Sequence, residues 1–245
     1  KPLFVTQHVG IVRHSSRIVL FMQHLTHATA GQLVLRRARR VFILNGAVEK
    51  YLLSRGITKQ KIQFIMNGVD TTLFRPPIDE QERQALRNKY GLPVKETLML
   101  FVGRMVAKKG YDVLLAATDG VACGVVFAGS TKTPDDVSAG KGVYLLGERT
   151  QKEIAELYRA CTVFVLPSES EGFPLSAQEA MASGMPVILT NDPGYKEYEF
   201  DHRFVTFIQK DVKVLRKAMQ DMTSLSAEQL HTMGGYGRAY AERHF

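Results

Sequence analysis

A chain of 245 residues, 45% hydrophobic and 23% charged, has the proportions of a globular protein of one or two domains. Its net charge of +8 is uneven: residues 1–60 carry ten Lys or Arg against one acid, Glu49, whereas residues 61–245 carry 22 basic and 23 acidic groups. That excludes a uniformly basic protein that coats nucleic acid, and no run of about 18 apolar residues offers a membrane-spanning helix.

Cys123 and Cys161 sit in apolar runs and read as buried, reduced thiols, and no Cys/His spacing suits zinc. The opening Lys1-Pro2-Leu3-Phe4-Val5 lacks Met and a signal-peptide pattern, so a fragment or processed chain is expected.

Strands alternate with amphipathic helices along the chain. Leu3–Gln7 reads as a short strand ending at His8, residues 15–38 as helical, Val41–Leu44 as a strand and Ala47–Ser54 as a helix stopped at Gly56. Lys61–Met66 is a further strand, closed by Asn67-Gly68. Residues 68–82, with Pro76-Pro77, read as a linker, and a domain boundary is expected there, giving domains 1–75 and 76–245. A second series follows: strands at Leu98–Val102, Gly124–Ala128, Gly142–Leu146, Thr162–Leu166 and Pro186–Leu189, with helices at Gly110–Ala117, Gln151–Ala160, Leu175–Ser183, Val212–Met222 and Ala227–Arg243. Near-continuous apolar strands separated by helices predict parallel sheets covered on both faces, which bind ligands at the carboxyl ends of their strands.

Two of the strand-end loops carry candidate chemistry. In Gly103-Arg104-Met105-Val106-Ala107-Lys108-Lys109-Gly110, Gly103 allows a turn, Arg104 and Lys109 lie across the loop, and Gly110 opens a helix, an arrangement suited to a diphosphate. Taken alone, the same loop reads equally as a solvated basic turn. It is neither a Walker A sequence nor Gly-x-Gly-x-x-Gly. The loop after Leu166 runs from Pro167-Ser168 to Glu171-Gly172-Phe173-Pro174-Leu175, with Glu179 one turn into the next helix. Two carboxylates flanking a helix N-terminus suit a ligand with polar rings at both ends and phosphate between; an ordinary helix cap and a surface Glu are the plainer alternative.

Gly103-Arg104 with Lys109-Gly110, Pro167-Ser168, Glu171-Gly172-Phe173, Glu179-Ala180-Met181-Ala182 and Gly184-x-Pro186-Val187 together resemble the retaining glycosyltransferases of the GT-B fold, family 4 (glycosyl transferases group 1); Asn67-Gly68-Val69-Asp70 with Phe74 and Pro76 resembles their hinge segment. The resemblance implies an α/β chain with a Rossmann-like donor domain and a partial N-terminal Rossmann-like domain, the two facing across a cleft. It implies that Arg104 and Lys109 hold the donor diphosphate, Glu179 the ribose and Glu171 the transferred sugar. Gly172, Phe173, Pro174 and Leu175 would contribute backbone contacts to sugar and phosphate. The Gly147-Glu148-Arg149 loop would cradle the base, and His8 would lie near the donor sugar.

The implied activity is metal-independent transfer, with retention, from a UDP- or GDP-linked sugar to a lipid-linked or polysaccharide-precursor acceptor, with no cofactor. The alternative is a catalytically incomplete nucleotide-sugar-binding module, truncated or one subunit of a two-part enzyme. Nucleic-acid binding by Arg36, Arg37, Arg39 and Arg40 is not expected, for want of interleaved aromatic residues. The same cluster reads first as a solvated helix face and second as a contact for anionic lipid, so a cytoplasmic chain is expected, with peripheral contact at the inner membrane face as the alternative. Asn45 stands where the family commonly has Ser, and Tyr195–Lys210 departs from its pattern.

Overall fold

The computed structural model describes residues 1–8, 16–130, 132–135, 137–140, 142–169 and 173–245. The chain divides into two compact units: Lys1–Asn67 with Asp192–Glu199, and Gly68–Asn191 with Phe200–Phe245.

In the first unit, strands β1 (Phe4–Gln7), β2 (Arg40–Ile43) and β3 (Ile62–Phe64) form a parallel sheet in the order β1-β2-β3. Helix α1 (Arg17–Thr26) passes through a π-turn at His27–Gly31 into α2 (Gln32–Arg37). The Thr26 and Thr29 hydroxyls donate back to Met22 O and Leu25 O, each at 2.8 Å, a competition with the helical ladder that accompanies its widening. Helix α3 (Gly46–Ser54) is capped by Asn45, whose Oδ1 accepts from Val48 N at 3.0 Å, so Asn performs the capping task here. Leu35, Ala38, Val41, Ile43, Val48 and Leu52 form the core. Ile18, Phe21, Met22 and Leu25 of α1 are exposed, as are Arg36, Arg37, Arg39 and Arg40. Tyr198 joins this unit from far along the chain: its hydroxyl donates to Leu44 O at 2.8 Å and its ring meets Phe64 edge-on.

The second unit holds β4 (Leu98–Val102), β5 (Gly124–Ala128), β6 (Val143–Gly147), β7 (Val163–Leu166), β8 (Val187–Thr190) and β9 (Val205–Ile208), all parallel, in the order β6-β5-β4-β7-β8-β9. Leu98, Met99, Leu100 and Phe101 of β4 are wholly buried, as a strand covered on both faces requires. The chain lays strands outward from β4 to β6, then returns to β7 on β4's other side. The winding therefore reverses between β4 and β7, where such sheets open a crevice. Helices α4 (Glu80–Lys89), α5 (Tyr111–Ala117), α6 (Gln151–Ala160), α7 (Leu175–Ala182), α8 (Val212–Thr223) and α9 (Ala227–His244) complete the unit. Gly234 lets α9 approach the turn after α7: a Cβ there would lie 1.8 Å from Gly184 O.

The structure corrects the sequence reading in two places. The stretch read as a linker, 68–82, ends inside helix α4, which Asp79 caps by accepting from Glu82 N at 2.8 Å. Its sequence, EQERQALRNK, lacks an apolar stripe because it buries a guanidinium instead: Arg87 donates to the carbonyls of Ala160, Val94 and Glu96 at 2.7–2.9 Å. Glu82 also takes both Arg75 nitrogens at 2.8 and 3.0 Å, which holds its carboxyl down at about 2. The segment Tyr195–Lys210, which departs from the family's sequence pattern and is assigned no element by the sequence reading, contains strand β9 after a 3-10 turn at Pro193–Tyr198. Its aromatic residues divide between the units, Tyr198 in the first and Phe200, Phe204 and Phe207 in the second.

Candidate active site

The carboxyl end of β4 turns on Gly103 (φ 147°), whose N–H donates to Ala128 O at 2.9 Å. Val106 N, Lys109 N and Gly110 N donate to Arg104 O, Val106 O and Ala107 O at 2.8–3.0 Å, which folds the loop into consecutive tight turns. Arg104 is exposed and Lys109 half-buried. Gly110 ends the loop at φ 76°, with Pro167 so near that a Cβ would sit 2.1 Å from its carbonyl oxygen. Only glycine fits, because the left-handed conformation and the close approach coincide. The loop after β7 is thereby drawn against the loop after β4, and Glu169 N donates to Lys108 O at 2.9 Å.

Glu171 and Gly172 lie outside the described residues. Beyond them, Phe173 is buried, with its ring 4.7 Å from Phe200 and 5.8 Å from Phe245. Pro174 occupies the N-cap position of α7 without a side-chain cap, and Leu175, the first residue of the helix, is 53% exposed. The amides of a helix's first turn have no acceptor within the helix and carry the positive end of its dipole.

Glu179 projects from the second turn of α7. Its Oε2 lies 3.1 Å from the Tyr158 hydroxyl, which also lies 2.8 Å from Ser176 O. Burial raises the Glu179 carboxyl to about 7, against a smaller lowering by Tyr158, and pushes the Tyr158 phenol well above its usual range. A carboxyl poised near neutrality, half in and half out of solvent, is one that a ligand's hydroxyl donors can ionise.

Arg149 follows β6 and is half-buried; its Nη1 donates to Glu148 O at 3.0 Å and its Nε faces Glu153 at 4.0 Å. His8 follows β1 in the first unit and is exposed, whereas the other candidate residues belong to the second unit. Burial raises both thiols, Cys123 to about 11 and Cys161 to about 12, and both are free.

Two features of this region were not anticipated. Tyr158 lies on the buried face of α6, and nothing in the sequence signals its partner in another helix. Lys210, just after β9, donates to Ala107 O at 2.8 Å and to Glu169 Oε1 at 3.0 Å. A groove of about 660 Å³ lies at the opposite edge of the sheet, beside Thr97, Thr162 and Pro186 at the amino ends of β4, β7 and β8. Arg83, Arg87 and Arg238 line it, and each donates to main-chain carbonyls, so these cations hold the fold together. Arg104, exposed, and Glu179, poised near neutrality, lie instead beyond the carboxyl ends of β4 and β7, where parallel sheets bind ligands.

A parallel α/β sheet with its reversal point at these loops has the architecture of the GT-B glycosyltransferases. The chain belongs to the glycosyl transferases group 1 family, whose model matches residues 82–240. It is 33% identical over 233 residues to a D-inositol 3-phosphate glycosyltransferase of Segniliparus rotundus, covering 87% of this chain and 50% of that protein. A Xylanimonas cellulosilytica protein of the same name is 34% identical over 161 residues, 39% of its length. The chain thus spans half or less of these curated relatives. Among solved structures, sucrose-phosphate synthase of Thermosynechococcus elongatus matches 99% of this chain and 63% of its own, at 25% identity and a TM-score of 0.79. Anabaena HepE, solved in complex with UDP-glucose, shares the fold at 19% identity and a TM-score of 0.80, over 100% of this chain and 68% of its own. Among the described residues, no helix is long and apolar enough to cross a membrane.

Proposed function

We propose that this chain carries the donor site of a retaining glycosyltransferase, which moves a sugar from a UDP- or GDP-linked donor to a lipid-linked or polysaccharide-precursor acceptor. The observation that carries the reading is the junction of the β4 and β7 loops, with Arg104 and Lys109 in one and Glu179 on the helix after the other. The names of the relatives and the UDP-glucose bound by HepE support the same reading.

The chemistry follows from charge. Breaking the bond from the anomeric carbon to phosphate builds positive charge on the sugar and negative charge on the departing diphosphate. Arg104 and Lys109, with the first amides of α7, would stabilise that negative charge as it develops. Glu179 would accept the ribose hydroxyls, Glu171 the hydroxyls of the transferred sugar, and the backbone about Gly147–Arg149 would receive the base. His8 would lie near the donor sugar. Glu171 and Glu179 are then binders rather than the acid and nucleophile of a glycosidase. No metal or cofactor is required by this scheme.

A second reading is a nucleotide-sugar-binding module without turnover of its own. We also propose a cytoplasmic chain held at the inner membrane face by Arg36, Arg37, Arg39 and Arg40; sedimentation with anionic vesicles, and its loss when the four become Ser, tests this.

Calorimetric titration with UDP, GDP and ADP tests the donor site. Binding of one of them, weakened at least tenfold by Arg104→Ala or Glu179→Ala (about 1.4 kcal/mol), is expected. No binding of any nucleotide overturns both readings. Nucleotide binding without release of sugar from UDP-glucose or GDP-mannose selects the module.

A further inference from the structure

We infer that Lys210 is a positioning residue for the donor site: its ammonium fixes the Arg104–Lys109 loop against the loop leaving β7. This rests on the donor-site reading above. The Lys210 Nζ donates to Ala107 O at 2.8 Å and to Glu169 Oε1 at 3.0 Å. Ala107 opens the 3-10 turn that ends at Lys109, and Glu169 stands in the other loop. An ammonium carries three donors at one point, so it can hold a carbonyl of one loop and a carboxylate of another at once. The main chain closes the same junction, through Glu169 N and Lys108 O at 2.9 Å.

Lys210 is suited to this part by its own support. The next residue, Asp211, caps α8 by accepting from Lys213 N and Val214 N at 2.8 and 3.0 Å, so the ammonium extends from a fixed point of backbone. Its side chain is 16% exposed, whereas that of Glu169 is 61% exposed. The lysine is therefore the anchored member of the pair and the glutamate the member drawn to it. Such a brace matters because a diphosphate clamp works by alignment: a displacement of about 1 Å in a positioning element costs catalysis heavily. Lys210 does this without touching the nucleotide.

The test is a double-mutant cycle on the full chain with Lys210→Met, Glu169→Gln and both together, with Lys210→Arg as the conservative variant. UDP affinity and donor turnover are measured for each. We expect Lys210→Met and Glu169→Gln each to weaken UDP binding by about threefold to tenfold. The double variant should be no worse than Lys210→Met, and Lys210→Arg should recover most of the loss. If Lys210→Met weakens binding while Glu169→Gln leaves it unchanged or tightens it, Lys210 is a direct phosphate ligand and the inference fails. If neither changes UDP affinity, it fails as well. A second readout needs no nucleotide: Lys210→Met should speed hydrogen exchange at the Glu169 amide, and unchanged exchange overturns the brace. A parent chain that binds no nucleotide overturns the donor-site reading, and the exchange result still decides whether Lys210 joins the loops.

Discussion

The Tyr158 hydroxyl, on the buried face of α6, lies 3.1 Å from Glu179 Oε2 on α7, and its single proton serves either that carboxylate or Ser176 O. This contact and the burial around it set the ionisation of Glu179.

The first prediction concerns pH. Glu179 holds its proton to about pH 7 in the folded chain, against 4.5 for an unperturbed glutamate. Between those values the folded state binds more protons than the unfolded state, so this group's contribution to stability falls as pH rises. The loss is complete above the folded value and absent below the unfolded one. Its full size is about 3 kcal/mol. Glu179→Gln removes the titration, so its stability relative to the parent chain should rise steadily from pH 5 to pH 8 in urea denaturation. A constant difference across that range would contradict the assignment.

Removing the hydroxyl acts in a known direction. Tyr158 lowers the Glu179 carboxyl against the effect of burial, so Tyr158→Phe should raise it further. The carboxyl resonance of Glu179, followed by NMR through a pH titration, should move to a higher midpoint. Loss of the buried hydrogen bond should also cost about 1 kcal/mol.

Gly110→Ala should destabilise the chain by about 2 kcal/mol or more, because a methyl group would meet Pro167 O in a left-handed conformation. Gly91→Ala is the control: φ is 64° there, but nothing lies within 4 Å of the added Cβ. It should cost about 1 kcal/mol, the conformational part alone. Thermal unfolding of the two variants separates steric crowding from backbone strain.

Arg87→Met replaces a buried guanidinium with a side chain of similar length and leaves the carbonyls of Ala160, Val94 and Glu96 without their donor. The expected cost is about 3 kcal/mol in equilibrium denaturation. Arg216→Met is the comparison: that half-buried side chain donates to Ala116 O in a solvent-exposed hydrogen bond and should cost less than about 1 kcal/mol.

Much of the second unit was legible in order along the chain. The apolar runs of β4, β5 and β7 have no polar face to misread, and Gly103, Gly110 and Gly184 punctuate them. The loop bearing Arg104 and Lys109, and the loop leading to the helix of Glu179, stood out because strand ends of parallel sheets are where chemistry collects. Helix α4 escaped because its burial runs through Arg87 and not through an apolar stripe. β9 escaped because its aromatic neighbours pack in two different units, and a linear pattern cannot say which ring goes where.

The sequence by itself determined the alternation of strand and helix, the concentration of positive charge in residues 1–60, and the residue types offered at the strand ends. Those properties depend on local periodicity and composition, and neither needs the chain to close on itself. Tertiary structure decided that the +8 chain's cations serve different ends: Arg87 and Arg238 are spent on carbonyls, and Lys210 reaches from beyond β9 to Ala107 and Glu169. It also decided that Glu179 is poised near neutrality. Burial and long-range hydrogen bonds exist only once distant segments meet, so neither effect is written in the spacing of the residues that feel it.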